Sequence, residues 1–266
     1  MKTTVFGALT VATLLLSCSG DETESKPKAL PVSVIQWNAS GAINYSQILY
    51  YDSMKRLSSI AVTEANTANN RYISYTYEAG KVTRYVDYND PAKTDTKYIH
   101  YYENGESIKD EFYIGTTLDM VYFWTHSDGI KTATLTKPNG ERIKTFTYTF
   151  NSKGNCVAIR VDETDPTKPD SSMIFEDYDK KTRAVFNHFR LSPWCDIPDL
   201  FKSPLIPNNP GKYTHTPDGL REEPYVAQEY TYEYNADGTV AFQRTLSNGA
   251  LLSSTVYEYS TEIGPN

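Results

Sequence analysis

Apolar and polar residues alternate along many short stretches of the chain. In residues 144–150 three aromatic side chains alternate with threonines, a polar turn follows at 151–154, and a second apolar run begins at Cys156. The tyrosines of residues 230–234 alternate with Thr231 and Glu233 in the same way. Alternation with a period of two is typical of β-strands with one face buried. We find no long stretch of helical periodicity beyond the N-terminal segment, so the pattern predicts an all-β fold.

This strand–turn–strand unit recurs along the chain. Each copy has an aromatic residue that closes one strand, a polar turn with Asn, Asp or Gly, and an apolar residue a few positions later. The aromatic markers are Tyr51, Tyr77, Tyr102, Trp124, Phe150, Tyr178, Tyr234 and Tyr259, spaced by 26, 25, 22, 26, 28, 56 and 25 residues. A period near 25 residues fits a unit of two strands and two turns.

Seven such units predict about 14 strands in an antiparallel meander. Open sheets rarely exceed about ten strands without curling or splitting, so we expect a strongly curved sheet or a partly closed barrel. Aromatic residues in register would stack across neighbouring strands, which favours packing as their role. A ligand-binding aromatic platform is the alternative.

The charges on these strands bear on whether the sheet crosses a membrane. In residues 81–88, Lys81 and Asp87 fall on one face and Arg84 on the other. A basic side chain that faces lipid at mid-depth costs roughly 2–4 kcal/mol. The pattern therefore favours a domain outside the bilayer over a membrane-spanning barrel.

Two of the turn motifs carry a resemblance to a known family. The motif Tyr75-Thr76-Tyr77 with Gly80-Lys81-Val82, and the motif at 232–238, resemble the YD-type repeats of RHS proteins. The whole of residues 45–260, apart from a gap at 187–224, resembles Bacteroidota lipoproteins of unknown function built from such repeats. This resemblance implies an envelope protein, and the toxin-encapsulating role of large RHS shells does not carry over to so short a chain.

The N-terminal residues are typical of a targeting segment. Lys2 precedes the apolar stretch Val5–Leu16, which is too short to span a bilayer. The stretch ends in Leu15-Leu16-Ser17-Cys18, which resembles a bacterial lipobox and implies lipidation of Cys18 after removal of residues 1–17. An ordinary secretory signal is the alternative. Lipidation would place the protein at the outer membrane, facing the periplasm or the cell surface, with the membrane as a partner through Cys18.

A polar, proline-containing stretch follows Cys18, and we interpret residues 18–31 as a flexible tether. Asp21-Glu22 fits a surface-export signal or a simple acidic linker equally well. Residues 32–266 then form a single all-β repeat domain.

Residues 187–224 interrupt the repeat. The segment contains seven prolines, which are not compatible with ordinary central sheet. It is too apolar for a disordered loop, so we interpret it as a lid or plug on the curved sheet. It completes the core or forms the rim of a binding site, and the candidate rim residues are Trp194, Phe201, Tyr213, His188 and His215.

The remaining composition narrows the function classes. The net charge is −7, and the chain lacks the clustered basic residues that binding to nucleic acid requires. The chain has no metal-ligand spacing and no phosphate-loop or nucleophile motif, so we expect neither cofactor nor catalysis. Cys156 and Cys195 either form a disulfide or stay free thiols. We expect a binding or scaffold module for glycan, peptide or protein. A purely structural lipoprotein and a hydrolase with an unidentified carboxylate pair are the alternatives.

Overall fold

The protein is a closed antiparallel β-barrel of 16 strands in the computed structural model, which describes residues 30–181, 208–217 and 225–260. Of residue 217 and residues 225–227 only the backbone is described. The strands are β1 (Leu30–Asn38), β2 (Ile43–Tyr51), β3 (Leu57–Glu64), β4 (Arg71–Glu78), β5 (Lys81–Tyr88), β6 (Thr96–Glu103), β7 (Glu106–Ile114), β8 (Thr117–Ser127), β9 (Ile130–Thr136), β10 (Arg142–Phe150), β11 (Cys156–Glu163), β12 (Ser171–Glu176), β13 (Lys212–Pro217), β14 (Tyr225–Tyr234), β15 (Val240–Ser247) and β16 (Ala250–Ser260). Within these ranges no helix is long and apolar enough to cross a bilayer.

Each strand pairs with its neighbours in the sequence, and β1 pairs with β16. The all-β antiparallel meander is therefore confirmed. Six of the seven predicted units correspond to the hairpins β2–β3, β4–β5, β6–β7, β8–β9, β10–β11 and β14–β15, and the Tyr178 unit follows β12. Strands β1 and β16 close the ring. Leu30 lies opposite Ser260 and Asn38 opposite Ser253, so the closing ladder runs the length of β1. Closure satisfies the backbone groups that a sheet edge would leave unpaired.

Strand β13 corrects the predicted extent of the irregular segment. Residues 187–224 were expected to lie outside the sheet, yet β13 pairs with both β12 and β14. Pro217 is the last residue of β13, a position at which a missing N–H interrupts the ladder least. At the other end of the chain β1 begins at Leu30, so Leu30 and Pro31 belong to the sheet rather than to the tether.

The predicted turn chemistry is confirmed at the repeat junctions. Asn151 accepts hydrogen bonds at Oδ1 from the backbone N–H groups of Lys153 and Asn155, at 3.0 and 3.1 Å. Gly154 completes this turn in the left-handed region with φ of 78°. The same side-chain bonding recurs at Asp52, where Lys55 takes the left-handed position with φ of 62°. A short polar side chain at the first position thus fixes each turn.

The alternating hairpins give the barrel two distinct ends. The tether end, as we call it, carries the start of β1, the end of β16, the turns at 52–56, 151–155 and 235–239, and the connection from β12 to β13. The far end carries the turns at 39–42, 65–70 and 248–249, among others. The start of β1 and the connection from β12 to β13 therefore lie at the same end of the barrel.

The inner face of the barrel is its hydrophobic core. One cluster of buried side chains lies on β8–β12 and a second on β1–β5, and Tyr102 packs against both. Phe146 and Tyr148 are 2% and 4% exposed, whereas the threonines that alternate with them face outward. The predicted alternation of 144–150 is therefore confirmed, with its aromatic side inward.

Candidate functional site

Four of the marker tyrosines, together with Tyr232, bond to the backbone of the preceding repeat. In each of these five pairs the hydroxyl donates to a carbonyl oxygen 19 to 22 residues earlier in the chain. The pairs are Tyr51 with Pro31 at 2.7 Å, Tyr77 with Leu57 at 2.8 Å, Tyr232 with Pro210 at 2.9 Å, Tyr259 with Val240 at 2.8 Å, and Tyr178 with Cys156. In three pairs the acceptor is the first residue of a strand. The hydroxyls thus fasten neighbouring hairpins together, which assigns these markers to packing rather than to a ligand platform.

Removal of one such hydroxyl tests this role. We expect Tyr77→Phe to lower the free energy of unfolding by about 1 kcal/mol, because it leaves the Leu57 carbonyl without its buried donor. Tyr72→Phe is the control, since Tyr72 is 45% exposed on the outer face. Urea unfolding of both variants measures the difference. Equal unfolding midpoints for the two variants would show that the Tyr77 hydroxyl has no structural role.

A cluster of ionisable side chains lies inside the barrel among apolar neighbours. His100 on β6 and Asp110 on β7 are opposite each other, and both are 0% exposed. His100 Nδ1 is 3.0 Å from Asp110 Oδ1, and Trp124 Nε1 donates to Asp110 Oδ2 at 2.5 Å. The carboxyl group of Asp110 therefore holds together side chains from β6, β7 and β8.

Burial dominates the titration of this pair. It lowers the pKa of His100, and the hydrogen bond to Asp110 opposes that effect. It raises the pKa of Asp110, against the hydrogen bonds from His100 and Trp124. We conclude that the His100 ring is neutral at pH 7. The arrangement has the spacing of an acid–base dyad, but neither side chain is accessible to solvent, so this geometry supports a structural role.

Arg84 completes the cluster from β5. It faces inward between Val82 and Val86, is 6% exposed, and lies with its guanidinium carbon 5.3 Å from the centroid of the Tyr98 ring. Its charge contributes to the lowered pKa of His100. The predicted division of β5 is thus confirmed, with Arg84 on one face and Lys81 and Asp87 on the other.

A second polar network joins the chain on either side of residues 182–207. Asn209 Nδ2 donates to Asp179 Oδ2 at 3.0 Å, and the backbone N–H of Asp179 donates to the Asn209 carbonyl at 3.0 Å. Asn208 and Asn155 exchange two hydrogen bonds of 3.0 Å each. The described residues on the two sides of 182–207 are therefore held together at the tether end of the barrel.

The predicted rim residues are only partly described. Tyr213 and His215 lie on the inner face of β13, where Tyr213 packs on Phe175 with ring centroids 5.4 Å apart and His215 lies opposite Met173. Trp194, Phe201 and His188 lie outside the described residues. The expected rim thus stays a prediction, with two of its members placed on the barrel wall.

Cys156 is buried at the start of β11 and is bonded to no other described cysteine, and burial raises the pKa of its thiol to about 12. Cys195 lies outside the described residues, so a disulfide between the two stays a prediction. The described residues also contain no group of three or more His, Cys, Asp or Glu side chains suited to a metal ion. Cys18 and the rest of the predicted signal segment likewise lie outside them.

Comparison with known proteins identifies the fold of the chain but no family. No protein-family model matches the chain, and no curated protein matches its sequence. A porin-like protein from Bacteroides vulgatus ATCC 8482 has a similar structure, with a TM-score of 0.58 at 11% identity over 88% of this chain and 100% of that one. A porin-like protein from Bacteroides uniformis ATCC 8492 is also similar, with a TM-score of 0.52 at 10% identity over 88% and 98% of the two chains. The chain shares their barrel fold.

Proposed function

We propose that the protein is a lipid-tethered, non-catalytic barrel of the bacterial cell envelope that lies outside the bilayer and serves as a binding module for a glycan, a peptide or another protein. The lipobox at Cys18 supports the tether. The resemblance to Bacteroidota lipoproteins and the fold shared with porin-like proteins support an envelope location. The polarity of the barrel wall supports a position outside the bilayer.

The orientation of polar and apolar side chains is the observation that carries this proposal. The outer face bears charged side chains in the middle of its strands, such as Arg160 and Arg244, which are 64% and 48% exposed. A spanning barrel requires an apolar outer band and has a polar interior. Here the interior contains the apolar clusters, with Arg84, His100 and Asp110 among them, and most other charges face outward. The outer face also carries exposed apolar side chains, but the charges between them break the continuous apolar band that a spanning barrel requires.

Part of the inner face is suited to binding. Five neighbouring strands, β14, β15, β16, β1 and β2, carry a row of inward side chains that combines rings, amides and hydroxyls. Its members are Tyr232, Gln243, Thr255, Gln36 and Tyr45. Such groups offer both stacking surface and hydrogen bonds, as a sugar or an extended peptide requires. A uniformly apolar core would offer no such groups, so this polar sector favours the binding hypothesis.

The position of the first strand is compatible with the tether. Eleven residues, 19–29, separate Cys18 from Leu30, and an extended chain spans at most about 3.3–3.6 Å per residue. A lipid on Cys18 would hold the tether end within about 40 Å of the membrane surface. The far end would then be the one more accessible to a ligand or partner.

Substitution of Cys18 tests the proposal. We expect Cys18→Ala to move most of the protein from the membrane fraction to the supernatant after cell disruption, because lipid attached at Cys18 is the proposed membrane contact. Ser17→Ala serves as the control, since it keeps a small residue before the cysteine. If Cys18→Ala stays in the membrane fraction after an alkaline wash, the tethered arrangement is wrong and a spanning barrel must be reconsidered.

A structural role is the second candidate function. The hydroxyls of marker tyrosines such as Tyr51, Tyr77 and Tyr259 donate hydrogen bonds to the backbone of a neighbouring hairpin, as expected of a scaffold. This bonding favours a rigid envelope component whose outer face contacts its neighbours.

A further inference from the structure

Arg84 is the polar side chain of the barrel interior whose hydrogen bonds are least satisfied. Its Nε and Nη1 atoms are buried and have no hydrogen-bond partner. Among the described residues no carboxylate lies within ion-pair distance of its guanidinium group. The guanidinium lies over the Tyr98 ring, and this contact leaves Nε and Nη1 without a hydrogen-bond acceptor.

This state is unfavourable unless an acceptor completes it. An arginine stays charged at every physiological pH, and a buried charge without a counter-ion is strongly disfavoured. Buried polar groups in folded proteins nearly always have a hydrogen-bond partner. The guanidinium fork matches the two oxygens of a carboxylate or a phosphate. The missing partner of Arg84 is therefore an anion.

The surroundings of Arg84 define the rest of that partner. Tyr75 on β4 and Tyr98 on β6 lie opposite it, and Val82 and Val86 flank it on its own strand. Arg84 is the fourth of the eight residues of β5, so it lies about halfway between the two ends of the barrel. An anionic group that reaches it must be attached to a body that tolerates contact with aromatic and aliphatic carbon.

We propose that Arg84 binds the carboxylate or phosphate of an elongated anionic amphiphile whose apolar part lies along the inner face of the barrel. This inference rests on the proposed function only in taking the barrel interior as a binding site, and it adds a ligand of different chemistry at a different part of the inner face. The lipid on Cys18 plays no part in it.

Calorimetric titration of the full chain carrying Cys18→Ala, purified without detergent, tests the site with defined probes. Dodecanoate and dodecyl phosphate are the anionic probes, and their comparison distinguishes the two headgroups. Dodecanol, dodecyltrimethylammonium and inorganic phosphate are the controls for the apolar body, the sign of the charge and the anion alone. We expect at least one anionic probe to bind with a stoichiometry near one, and we expect it to bind more tightly than all three controls.

Variants at position 84 separate binding from folding. We expect Arg84→Met to weaken binding of the anionic probe by about ten-fold or more, because it removes a charge-assisted hydrogen bond. The affinity for dodecanol should stay the same. Arg84→Lys keeps the charge and should retain part of the affinity. Tyr148→Phe is the matched control. It removes a buried polar group that also has no hydrogen-bond partner, but this group is an uncharged hydroxyl.

The melting temperature without ligand gives an independent readout. Because Arg84→Met removes an unpaired buried charge, we expect it to melt no lower than the parent chain and to lose the stabilisation that the anionic probe gives the parent. A melting temperature that falls in Arg84→Met, with unchanged affinity for dodecanoate and dodecyl phosphate, would overturn the proposal. Absence of binding by both anionic probes would overturn it as well. These outcomes concern binding by the barrel interior, whereas the fractionation of Cys18→Ala concerns the lipid anchor, so failure of one proposal is distinguishable from failure of the other.

Discussion

Asp110→Ala is expected to destabilise the barrel by about 3–5 kcal/mol, since each buried donor left without an acceptor costs roughly 1–3 kcal/mol. The substitution removes the acceptor of the Trp124 indole N–H and the partner of His100 Nδ1 at a position that is 0% exposed. It also leaves a small cavity between β6 and β8. Urea unfolding followed by circular dichroism measures the change.

Two further substitutions show whether this effect belongs to the buried cluster. Asp110→Asn keeps one carbonyl oxygen as an acceptor, so its effect should fall between those of the parent and Asp110→Ala. Asp87→Ala removes a carboxylate from the exposed outer face of β5 and should change stability by less than about 0.5 kcal/mol. Equal effects of Asp110→Ala and Asp87→Ala would show that the cluster does not hold the strands together.

Deletion of residues 250–266 is expected to abolish the folded monomer. Strand β16 pairs with β15 on one side and with β1 on the other, so its loss exposes two sheet edges and removes the bond from Tyr259 to Val240. Exposed edges pair with other chains and promote aggregation. Size-exclusion chromatography and far-UV circular dichroism should show aggregated or unfolded protein in place of the monomer.

Two comparisons make this result specific to closure. Deletion of residues 261–266 alone leaves every described strand intact and should preserve the monomer. A synthetic peptide of residues 250–260, added during refolding of the shortened chain, should restore part of the monomer by strand addition. A stable monomer of the 250–266 deletion without the peptide would show that the β1–β16 ladder contributes little.

The repeats of the barrel could be predicted from the sequence because their determinants are local. A side chain such as Asn151 fixes its own turn, and the alternation of 144–150 sets which face is buried. Closure could not be predicted in this way, because β1 and β16 meet across almost the whole chain. Strand β13 was missed because the prolines around it outweighed its short alternating pattern.

The buried cluster shows where sequence reasoning about the site ends. Arg84 was already visible as a charge on the face of β5 that carries Val82 and Val86. The pairing of His100 with Asp110, and the indole N–H that completes it, depends on the register of three strands. Register is set by bulges, such as the one between Tyr101 and Tyr102, which the pattern of apolar residues did not predict.

The order of pairing in the ring also governs how the protein folds. Every ladder except one joins strands that follow each other in the chain, so hairpins can form one after another at a low cost in loop entropy. The last ladder must bring together residues more than 200 positions apart. Until β16 has been synthesised, β1 has no partner on one side, and the incomplete barrel exposes sheet edges that are prone to self-association.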